Sequence, residues 1–87
     1  MTAVNYDPDE LDRAAQSLMR SHEALLTQAK AIRSAMQMQR FNGPSDQRFR
    51  REVETIANSV ARQAEDISQR AKHLRSLAQN VRALGRH

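Results

Sequence analysis

The sequence has no cysteine and no tryptophan, and among 87 residues it has two glycines, two prolines and three aromatics. Without cysteine there is neither a disulfide framework nor a thiolate metal site, although small domains often depend on such staples. Three aromatics, Tyr6, Phe41 and Phe49, are too few for a compact mixed core. Apolar runs are short, and none approaches the roughly 18 to 20 residues that a membrane span requires. The opening MTAVNYDPDE lacks the basic and apolar regions of a secretory signal. The expectation is one small soluble domain. Ala, Leu, Gln, Arg and Glu dominate what remains, and that balance favours helix.

Charge is unevenly placed. Residues 1–39 carry four Lys/Arg and five Asp/Glu, residues 40–87 ten and five, and from Arg70 onward there are five bases and no acid. Such asymmetry raises an acidic partner surface or nucleic acid as possibilities to be weighed.

Asp7-Pro8-Asp9-Glu10 reads as a helix start: Asp7 as cap, Pro8 at the first helical position, and Glu10 three residues after the cap. From there Leu11, Ala15, Leu18, His22, Leu25, Ala29, Ile32 and Met36 alternate gaps of four and three. Leu11, Leu18, Leu25 and Ile32 form a seven-residue seam. A second series, Val53, Val60, Ile67, Leu74 and Val81, has the same period and is flanked by Ala57, Ala64, Ala71 and Ala78. Phe49, Ile56, Leu77 and Leu84 fill most of a third row, interrupted by Gln63 and Arg70. The alanine row lets another helix approach closely. A strict heptad on straight helices predicts a left-handed supercoil.

The spacing predicts an all-α hairpin in a single domain, with one helix from about Pro8 to Gln39 and another from about Ser45 to Leu84. Arg40 to Pro44 supply a connection of ordinary length for antiparallel helices. Gly85 offers a stop at the far end. Each helix has more apolar surface than one neighbour can cover, so a second hairpin completing a four-helix bundle is the economical arrangement.

Candidate sites are sparse. His22 occupies a seam position; its sharp reading is a ligand or a pH-dependent switch, its plainer one a polar residue that fixes register. Gln63 and Arg70 sit in the third row, where they can select a partner by demanding an acidic or amide group opposite. No histidine has a ligand at metal-binding spacing, and no nucleophile motif or phosphate-cradling glycine loop is present. The reading is a non-enzymatic protein with no cofactor. The basic residues of the second half are spread around the helix, interrupted by Glu52, Glu54, Glu65 and Asp66 and without interleaved aromatics, which weighs against nucleic-acid binding.

Two near-equal helices, the turn Phe41-Asn42-Gly43, and Phe49 a few residues into the next helix together resemble the WXG family of type VII secretion systems, the early-secreted-antigen-like proteins. Here Phe-x-Gly stands in place of the usual Trp-x-Gly. The resemblance covers roughly residues 4–84. It implies an antiparallel homodimer, or a heterodimer with a related hairpin protein or a toxin targeting domain. It implies export without a cleaved signal peptide, from a cytoplasmic pool, by way of a secretion ATPase. By position, Phe41 is the aromatic wedge of the turn and Gly43 the residue permitting reversal. The family's C-terminal export signal of the form Tyr-x-x-x-Asp/Glu is not visible beyond the second helix, in the closing VRALGRH, so the resemblance implies either a partner that supplies it or a non-exported relative. The alternative reading is an intracellular basic helical adaptor that binds nucleic acid or another coiled-coil protein.

Overall fold

The structure, a computed structural model, describes residues 6–38 and 44–85. The turn motif Phe41, Asn42, Gly43 lies outside the described residues. Two helices, α1 (Pro8–Met38) and α2 (Pro44–Leu84), pack along each other as a hairpin.

Local chemistry sets the helix ends. The Asp7 side chain accepts the Asp9 backbone N–H at 2.9 Å, while its carbonyl accepts the first helical bond, from Leu11 N–H at 3.1 Å. Asp7 is therefore the cap and Pro8 the first helical residue, where its missing N–H costs nothing. Acidic Asp9 and Glu10 fill the first turn, at the positive end of the helix dipole. At the other extreme, the Gly85 N–H reaches the Val81 carbonyl at 3.2 Å and closes α2. The second helix begins at Pro44, one residue earlier than the sequence spacing predicts; a proline fits this first position for the reason it fits at Pro8.

The antiparallel path follows from three cross-links. Asp12 meets Arg82, His22 meets Ala64, and Arg33 meets Asn58. As α1 advances, α2 returns. The molecule is a rod, 68 × 23 × 15 Å, with a radius of gyration of 19.8 Å; a globular chain of this length has about 12 Å.

The line of closest contact is made of alanine. Ala15 and Ala29 of α1 and Ala57, Ala64, Ala71 and Ala78 of α2 are at most 1 % exposed. No large side chain among the described residues is fully buried. The rows read from the sequence as the seam, Leu11, Leu18, Leu25 and Ile32 with Val53, Val60, Ile67, Leu74 and Val81, are half-buried beside this line. The reason is geometric. Methyl groups let the helix axes close up, and larger neighbours one step round each helix are then pushed to the lip of the groove.

Candidate functional site

The alanine line divides the hairpin into two unlike sides. In an antiparallel pair, rows displaced the same way round each helix fall on the same side. One side therefore gathers Asp12, Met19, Leu26 and Arg33 of α1 with Ala61, Ser68 and Arg82 of α2. The other gathers the leucine row of α1 and the valine row of α2. The contacts agree with this assignment: Asp12 pairs with Arg82 across the first side, and Leu18 shares a shallow recess with Arg70 and Leu74 on the second.

The first side carries the charged cross-links. Arg82 Nη2 lies 2.7 Å from Asp12 Oδ2 and 2.9 Å from Asp9 Oδ1. The Asp12 and then the Asp9 hydrogen bonds raise the guanidinium pKa above its ordinary value. A raised arginine pKa favours the folded state below the ordinary arginine value for as long as its two carboxylate partners are ionised, so this contribution is constant across the neutral range. The cluster ties the first turn of α1 to the last turn of α2. Nearer the connection, Arg33 Nη2 donates to Asn58 Oδ1 at 2.8 Å.

His22 sits between these two levels and between Ala15 and Ala29 in the contact row. Its Nδ1–H donates to the Ala64 carbonyl at 2.6 Å. A carbonyl only accepts, so Nδ1 carries the proton. The Ala64 carbonyl, in mid-helix, has a second lone pair to give. His22 is thus engaged inside the hairpin. Its bond partner lies 42 residues away in the chain, beyond the reach of any local motif.

The second side is the candidate interaction face. Its outer row on α2 is Phe49, Ile56, Gln63, Arg70, Leu77 and Leu84. Phe49 is 49 % exposed, Ile56 55 % and Leu84 74 %; Leu77 is half-buried, and Gln63 and Arg70 are exposed. The matching outer row on α1 is Ala14, Ser21, Gln28 and Ala35, small or uncharged throughout. Across the inner and outer rows of both helices, from Leu11 to Leu84, the charged residues are Arg70 and, in the first turn of α2, Asp46. Toward the connection, Ile32, Met36, Val53 and Ala57 border a hollow of 220 Å³ with Arg33, Arg50 and Glu54 at its rim.

Among the described residues no group of three or more His, Cys, Asp or Glu is placed to hold a metal ion, and no helix is long and apolar enough to cross a membrane. No buried side-chain nitrogen or oxygen among them lacks a partner. Comparisons with protein-family models, curated proteins and solved structures find no match.

Proposed function

We propose that this protein is a helical-hairpin interaction module of the WXG type, which dimerises through its aliphatic face into a four-helix bundle and serves type VII secretion as a substrate or co-secretion partner. The observation that supports pairing is the placement of the large aliphatic residues. The hairpin closes on alanine and, Leu26 apart, leaves the leucine, isoleucine and valine side chains of its described residues half-buried or exposed along one nearly uncharged side. An apolar strip of this length on a monomer is a liability in water and an interface in an assembly. The secretion reading rests on the Phe41-Asn42-Gly43 sequence falling between the two helices, with Phe49 in the second turn of α2. Its basic second helix suits an acidic partner.

Export is the test. The protein should appear in the culture medium of its native host and be retained in cells that lack the type VII membrane ATPase. Retention in both strains, together with duplex-DNA binding that weakens steeply as salt rises, would overturn the proposal in favour of the intracellular adaptor.

A further inference from the structure

The alanine line that closes the hairpin stops short of the connection. On α1 its last alanine is Ala29, and one heptad further on stands Met36; on α2 its first is Ala57, and one heptad before it stands Arg50. A thioether chain and a guanidinium chain at these two positions are too large for the close approach that methyl groups allow. The helices accordingly leave space between them there, a hollow of 220 Å³ floored by Ile32, Met36, Val53 and Ala57. Ala57 is 0 % exposed and the other three are half-buried. The floor is therefore apolar throughout.

The rim has a different chemistry. Arg33, Arg50 and Glu54 stand around it, all three exposed. Arg33 is held in place, because its Nη2 donates to Asn58 Oδ1 at 2.8 Å; a guanidinium has five N–H donors, and this bond uses one. Arg50 brings a second guanidinium to the same mouth. With the Glu54 carboxylate counted against one of them, the rim keeps a net positive charge. Arg33 and Glu54, the latter one heptad before Ala61, belong to rows of the first side, away from the aliphatic face. Pairing through that face leaves this mouth open.

We propose that this hollow binds a small amphipathic monoanion, an organic monocarboxylate whose apolar body enters between the helices while its carboxylate lies on Arg33 and Arg50. Volume sets the size of the body. An apolar cavity of about 150 Å³ takes up benzene, so the 220 Å³ available here holds, in proportion, about nine carbons. Met36 suits such an occupant, because its unbranched thioether chain adapts to irregular shapes and packs well against ring edges. Charge sets the head group. A carboxylate matches the planar fork of a guanidinium with charge-assisted hydrogen bonds, and one negative charge neutralises the net charge of the rim.

The probe is 3-phenylpropionate, titrated into the isotope-labelled full-length protein and followed by amide chemical shifts. Saturable shifts should appear over residues 32–37 and 50–57 and be absent around Ala15 and Ala78, toward the open end, with a Kd at or below about 1 mM. Arg50→Gln, which leaves the bond between Arg33 and Asn58 in place, should raise the Kd at least about fivefold. On the unaltered protein, 3-phenylpropionamide has the same body without the charge and should bind at least about tenfold more weakly. No saturable shift up to about 10 mM, or equal affinity for acid and amide, would overturn the site. Tighter binding of L-phenylalanine, which adds an ammonium group within reach of Glu54, would overturn the monoanion as the ligand class. None of these outcomes depends on pairing or export, so the proposed function stands or falls separately.

Discussion

Replacing Ala71 by leucine tests the central physical claim, that alanine sets the spacing of the two helices. Ala71 is 0 % exposed, in the part of α2 where Leu18 approaches Arg70 and Leu74. A leucine there has no free volume to enter and must either leave its preferred rotamer or push α1 away. Overpacking of this kind costs about 1 to 3 kcal/mol. Against a total stability of about 4 to 13 kcal/mol for a chain of this length, that is a large fraction. At about 4 to 8 °C per kcal/mol for a domain of this size, the melting midpoint should fall by roughly 5 to 20 °C. The control is Ala24→Leu, an exposed alanine on the side of α1 away from α2, whose change is confined to helix propensity, about 0.5 kcal/mol or less. Both variants should be melted by circular dichroism at one fixed chain concentration, because an associating protein has a concentration-dependent midpoint. If the two midpoints agree within about 2 °C, the alanine row is not the line of contact and the packing described above is wrong.

Other perturbations probe the remaining elements. Asp7→Ala removes the cap that holds the Asp9 N–H and should cost about 1 kcal/mol in urea denaturation, with Asp7→Asn close to wild type. His22→Ala loses a cross-hairpin hydrogen bond, about 1 kcal/mol, partly offset by the better helix propensity of alanine; a net loss under about 1.5 kcal/mol is expected, and a larger one would give His22 a role beyond this bond. Arg82→Ala should accelerate amide hydrogen exchange in the first turn of α1 and the last of α2 while leaving the middle of both helices unchanged, and 1 M salt should produce part of the same effect in the wild type. Ile56→Asp, exposed in the single hairpin, should weaken association at least tenfold by sedimentation, whereas Leu26→Ala on the opposite side should lower the midpoint modestly without changing the dissociation constant.

The hairpin was legible because its signals are local. The Asp-Pro-Asp-Glu start, the two heptad series and the short interval between them each involve residues within one or two turns of each other. The centre of the contact was harder to see. Sequence patterns weight residues by hydrophobicity, which draws attention to Leu11 or Val60, whereas approach distance is governed by the smallest side chains in the row, here Ala15, Ala29, Ala57, Ala64, Ala71 and Ala78. The row was visible, but nothing local says that it outranks its neighbour. The partners of His22, Arg33 and Arg82 were not visible at all. They stand 42, 25 and 73 residues away, and follow only once the register of the two helices is known.

That register raises a matter of information content. Alanine presents a smooth surface, and the alanines of α2 recur every seven residues, so sliding α1 by one heptad would set alanine on alanine again. The close-packed seam therefore fixes how far apart the helices lie but scarcely distinguishes one alignment from the next. The distinction is carried by the two rungs that join side chain to side chain: Arg82 with Asp9 and Asp12 at the open end, and Arg33 with Asn58 toward the connection; the His22 bond between them ends on a main-chain carbonyl, which every heptad repeats. A slip of one heptad, about 10 Å, breaks both together. These bonds act as index marks on an otherwise repeating scale, and substitutions at them should be read first for loss of alignment and only then for loss of stability.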